Sequence, residues 1–265
     1  MNTTVAALGV VVAVAAAARS TWSPCGLSML SSITPLAERS RGHRYGATAT
    51  WFVLGATLGG ATLGAAAGAL AALTRAVSLG NGTACAIAAV VAIVCALSDL
   101  RPFGLHLPFH RRQVNEVWLS RYRPWVYAGG FGWQIGTGLA TYILTAAVYL
   151  LIVLAALTAS PAEAVGLGVL FGAVRGLAVL LSVGITTPAR LHAFHRRFDQ
   201  LGPWVRGVVI AVQFGVAAVA AAVAWTPPAA IVVGLLVAVG LAGDRLGRPV
   251  PVTTTSAVDF THRSP

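Results

Sequence analysis

Residues 4–34 read TVAALGVVVAVAAAARSTWSPCGLSMLSSIT, and residues 126–157 read VYAGGFGWQIGTGLATYILTAAVYLLIVLAAL. Each apolar stretch is too long for one straight bilayer helix, which needs about 20 residues. Each is also interrupted. Trp22-Ser23-Pro24-Cys25-Gly26-Leu27 breaks the first, and Trp133-Gln134-Ile135-Gly136-Thr137-Gly138 breaks the second. Proline lacks the amide that a helix interior needs, and glycine adopts backbone angles closed to other residues, so both places favour an opened helix. Around them lie apolar runs at 47–73, 83–100, 164–185 and 205–225, with a short seventh at 229–243. The expected fold is an all-α integral membrane protein of six to seven transmembrane helices, with the first and fourth broken.

Composition agrees. Of 265 residues, 57% are hydrophobic and only 9% charged, and the mean hydropathy is +0.80. A soluble domain carries about 25% charged residues to cover its surface. The net charge of +11 comes from eighteen arginines. Most fall in four groups: Arg39, Arg41 and Arg44; Arg101, Arg111, Arg112, Arg121 and Arg123; Arg190, Arg196, Arg197 and Arg206; Arg245, Arg248 and Arg263. Apolar runs separate the groups, so the loops that hold them are expected on the cytoplasmic side of the inner membrane, with the N-terminus outside and the C-terminus inside. Membrane lipid is the expected partner. Nucleic acid is not, because no aromatic-interleaved module accompanies the charge. The first run is read as a retained span, since Arg19 follows it and no basic segment precedes it. The polar tail 244–265 is expected to be disordered.

The pattern of the first three spans recurs in spans four to six, and three is odd, so the second broken helix enters the membrane from the opposite side to the first. The expected membrane domain, 1–243, is therefore two inverted repeats, about 4–100 and about 125–225, followed by the extra helix 229–243. Such folds build their working site where broken helices meet near mid-membrane. Irregular backbone at that depth must be buried in protein or line a wet cavity.

Ser23-Pro24-Cys25-Gly26-Leu27 resembles the S-P-C-x-L of the first helix of the CcdA/DsbD transmembrane family, the thiol–disulfide carriers of cytochrome c biogenesis. Gly130-Phe131-Gly132-Trp133 resembles the G-F-G-W that opens that family's fourth helix. The resemblance covers roughly residues 5–225 and implies a relay of electrons between two cysteines, one on each broken helix, with a thioredoxin-like protein as reductant. The family's second motif continues T-P-C-x-G-P, whereas this chain has Gln134-Ile135-Gly136-Thr137-Gly138-Leu139. Gly136 stands in the cysteine position, and Ser28 stands where the first motif usually has proline. Cys25 is the reactive thiol that the resemblance implies, and its partner sulfur must come from elsewhere.

Cys85 and Cys95 lie ten residues apart on one span, about 15 Å along a helix, too far to bond to each other. Cys95 is the better candidate to meet Cys25, being nearer the cytoplasmic end. Arg175 in mid-span and Arg19 ahead of the first break are costly in a bilayer and must find partners. Those partners are free carbonyls at a break or a bound anion. Gln134, Thr137, Tyr142 and Gln213 add polar groups, and Asp99 is the carboxylate expected within a span. Gly55, Gly59, Gly60, Gly64 and Gly68 are expected to pack the second span closely. His106 with His110, and His192 with His195, sit in loops read as lipid-facing; no metal or other cofactor is expected. No Ser–His–acid set, phosphate loop or paired carboxylates indicate hydrolysis. Three functions remain: thiol–disulfide exchange, a carrier of a small solute or anion on the same scaffold, and a non-catalytic subunit of a membrane complex.

Overall fold

The computed structural model describes residues 3–100, 121–141 and 143–224. The expected seventh helix at 229–243, the tail 244–265, the loop with His106 and His110, and Tyr142 lie outside the described residues. Among those described the chain is helical, without strands: α1 (Thr3–Ser20), α2 (Pro24–Ser32), α3 (Pro35–Ser40), α4 (Tyr45–Ala76), α5 (Asn81–Leu100), α6 (Pro124–Gly136), α7 (Ala147–Leu157), α8 (Pro161–Leu177) and α9 (Pro188–Ala224). A 3-10 turn, Ala178–Ser182, extends α8. Among the described residues five helices are long and apolar enough to cross a bilayer: α1, α4, α5, α8 with its extension, and α9. The chain is an all-α, multi-pass membrane protein.

Helix starts follow the sequence. Proline opens α2, α3, α6, α8 and α9, where its missing amide costs nothing. Ser23, Thr34 and Ser160 precede three of these prolines, and their hydroxyls accept the amides of Gly26 (3.2 Å), Ala37 (3.0 Å) and Glu163 (3.5 Å). The overlong stretches each divide into a pair of helices, α1 with α2 and α6 with α7. One boundary moves. The expected span at 205–225 is the second half of a 37-residue helix that runs back to Pro188. Nothing in Arg190–Leu201 disfavours helix, and Pro203 removes one backbone bond without stopping it. At about 1.5 Å per residue the helix is roughly 55 Å long, well beyond a hydrocarbon core of about 30 Å.

Glycine sets the centre of the bundle. A Cβ on Gly60, Gly168 or Gly172 would overlap backbone across the α4–α8 contact, and one on Gly55, Gly59, Gly132 or Gly136 would do so across α4–α6. The glycines expected to pack the second span therefore serve two faces of α4: Gly55 and Gly59 meet α6, while Gly60, Gly64 and Gly68 meet α8. Such contacts replace apolar side chains with close backbone approach, as membrane interiors favour. Elsewhere α5 packs on α9, and α1 packs on α7, α8 and α9.

Candidate functional site

The first break is a tight turn, Thr21–Ser23. Gly26 allows it, since a Cβ there would overlap the Thr21 carbonyl. Trp22 ties the turn to α9: its ring stacks on Phe198 with centroids 4.3 Å apart, and Nε1 donates to the Phe198 carbonyl at 2.8 Å. Pro24 is exposed at the head of α2. Cys25 follows as the second residue of that helix and is 3% exposed.

The second break begins at Thr137, whose hydroxyl donates to the Gln134 carbonyl at 2.7 Å. Gly138 then takes φ +69°, the left-handed region that only glycine enters without strain. Arg175 reaches this break from α8. It is 2% exposed; Nη1 donates to the Ile135 carbonyl at 2.6 Å and Nη2 to Thr141 Oγ1 at 3.4 Å. Its guanidinium stands 5.8 Å from the Phe171 ring centroid. The structure thus brings Arg175 and the second break together. Of the two partners expected for Arg175, a carbonyl at the break is the one observed, although it is not free, since the Ile135 oxygen also accepts the Gly138 amide at 3.1 Å.

Asp99 holds the far end of the same break. Its carboxylate accepts from Thr145 Oγ1 (2.5 Å), from the Ala146 amide (2.8 Å) and from Gln213 Nε2 (2.8 Å). These bonds fix where α7 starts. Arg206 on α9 closes the end of α5: Nη2 donates to the carbonyls of Asp99 (2.8 Å) and Leu100 (3.2 Å), and Nε to that of Asp99 (3.2 Å). Beside it is a cavity of about 160 Å³ lined by Arg19, Asp99, Leu144 and Arg206.

Cys85 and Cys95 sit in the apolar cluster formed by α1, α4, α5, α7, α8 and α9. No disulfide links any of the three cysteines, so the structure contains no Cys25–Cys95 bond. Gln134 is half-buried; Gly136 is packed against Ala56. His195 pairs with Ser31 Oγ at 2.9 Å, and no cluster of three metal-binding side chains occurs among the described residues.

Two groups at this level escaped the sequence reading. Arg206 reads there as one more loop arginine. Glu38 reads as a loop acid, yet it has no exposed surface. Its carboxylate accepts from Tyr127 (2.9 Å), Thr48 Oγ1 (2.7 Å) and Arg41 Nη1 (2.9 Å), and His43 Nδ1 lies 3.8 Å away. The available signal was its position as the single acid among Arg39, Arg41 and Arg44, just after a Thr34-Pro35 helix start.

The chain is similar to the methylamine utilization protein MauF of Paracoccus versutus, 29% identical over 197 residues that cover 72% of this chain and 70% of that protein. The MauF protein of Paracoccus denitrificans is 29% identical over 204 residues, 75% of this chain and 72% of its own. That of Methylorubrum extorquens is 30% identical over 164 residues, 60% and 56% respectively. No family model matches, and no solved structure matches.

Proposed function

We propose that this chain carries out thiol–disulfide exchange within the membrane, with Cys25 as the reacting thiol. The observation that carries the reading is the place of Cys25: second residue of a helix capped by Ser23, directly after the first break. Arg175 is a positioning residue in this account, holding the second break through the Ile135 carbonyl.

Gly136 supplies no second sulfur, and Cys85 and Cys95 are embedded in apolar packing. The resolving sulfur therefore belongs to a partner, a thioredoxin-like protein or another membrane subunit. The Cys25 thiolate attacks one sulfur of an acceptor protein's disulfide; that S–S bond breaks, a mixed disulfide forms, and the acceptor's other sulfur leaves as a thiolate. A donor dithiol then attacks the Cys25 sulfur and releases the acceptor's remaining thiolate. The donor's second thiol displaces Cys25 and leaves the donor as a disulfide. Two electrons pass from donor to acceptor and Cys25 is regenerated. The CcdA/DsbD resemblance suggests cytochrome c biogenesis as the setting, but it rests on short motifs. We take methylamine utilization instead, because the similarity to MauF extends over most of the chain.

We also read the fold as two inverted three-helix repeats, about 4–100 and about 125–225, with 229–243 as a seventh span and the N-terminus outside. Reciprocal packing supports this: α4 on α8, α5 on α9, α1 on α8 and α6 on α4.

Complementation tests the function. In a host that lacks its own copy and grows on methylamine, Cys25→Ser is expected to abolish growth, while Arg175→Gln slows it. The opposite order would replace the exchange reading with a carrier, and tolerance of both would leave a scaffold subunit.

A further inference from the structure

Arg19, at the last turn of α1, and Arg206, in α9, reach one cavity of about 160 Å³ from opposite sides of the sequence. A single water needs about 10–15 Å³ of such space, so this volume admits a small polyatomic solute. Its lining carries two guanidiniums and one carboxylate. Asp99 accepts from Thr145, the Ala146 amide and Gln213, all neutral donors, so it still offsets one of the two guanidiniums and the lining is left with one positive charge in excess. Arg206 is paired with backbone carbonyls instead, through Nε and Nη2, in bonds that hold its guanidinium rigid at the cavity wall. Carbonyl oxygens orient a guanidinium but do not neutralise it. Half-buried positive charge next to apolar spans is costly, and a bound anion would offset that cost.

We propose that this cavity is a binding site for a small oxyanion of the phosphate class, held between Arg19 and Arg206 at the second helix break. The site involves neither Cys25 nor Arg175, so it stands or falls apart from the exchange reading. The same chemistry has two sources, a free phosphate in solution and the phosphate of a phospholipid headgroup, and the experiment separates them.

The purified full chain in neutral detergent is titrated with inorganic phosphate, and separately with phosphatidylglycerol or phosphatidylcholine in mixed micelles, while thermal unfolding is followed. A ligand that binds only the folded protein raises Tm progressively with its concentration. A rise with inorganic phosphate identifies a soluble anion site, and a rise only with phosphatidylglycerol identifies a headgroup site. Arg206→Gln and Arg19→Gln should each weaken the response at least roughly tenfold, the loss of one charge-assisted contact. Because Arg206→Gln also frees the α5 carbonyls, Arg206→Lys and Arg19→Lys serve as the folded controls and should retain part of the response. Arg75→Gln, an exposed position outside the cavity lining, should respond like the wild type. The proposal is overturned if neither ligand shifts Tm, if phosphatidylcholine acts as well as phosphatidylglycerol, or if the Arg19 and Arg206 variants titrate like the parent.

Discussion

Glu38 shows how a single side chain can organise one end of this bundle. Its carboxylate joins α3 to α4 through Thr48 and to α6 through Tyr127, with Arg41 supplying the charge. A buried carboxylate is tolerable only while those donors stay in place. Glu38→Gln replaces one acceptor oxygen with a donor that faces hydroxyls, and it should lower stability by roughly 1.5–3 kcal/mol, the worth of a hydrogen bond to a charged group. Thermal unfolding in detergent measures it, and an unchanged Tm would show that the cluster is incidental. Arg175 was legible in the sequence because an arginine in mid-span must find a buried partner, a carbonyl or an anion. Glu38 was not, because a lone acid among arginines reads as solvated loop; only the fold shows that α3 tucks it beneath Tyr127.

Between helices, the packing rests on where a methyl group fits. Gly60 and Gly172 oppose backbone across α4 and α8, whereas Gly215 on α9 faces open space. Gly60→Ala must therefore push the two helices apart, with an expected cost of about 1–3 kcal/mol for an overpacked contact. Gly215→Ala should be neutral or stabilising by up to about 1 kcal/mol, the gain in helix propensity. Equal effects in the two variants would contradict the packing described. Both helix breaks were legible from proline and glycine within apolar runs. The backward extension of α9 was not. A segment with arginine and histidine reads as loop by polarity, yet polarity does not stop a helix when no residue in it disfavours one.

As a whole, the molecule ties each break to a distant helix: Trp22 of the first to Phe198 on α9, and the second to Arg175 on α8. If the halves are inverted, the α4–α5 turn and the α8–α9 turn face opposite sides of the membrane. In intact cells a membrane-impermeant maleimide should label Gly80→Cys and spare Gly184→Cys, both exposed positions; labelling of both or neither would contradict the orientation. Exchange chemistry is the central claim, and the state of Cys25 in living cells tests it most directly. Cells are quenched with acid, free thiols are alkylated with a mass tag, and the shift of the chain is compared before and after reduction. The account predicts a fraction of Cys25 protected in a reducible bond to a partner protein, a fraction that grows under oxidant and is lost in Cys25→Ser. A Cys25 that remains fully alkylatable under oxidant would contradict it.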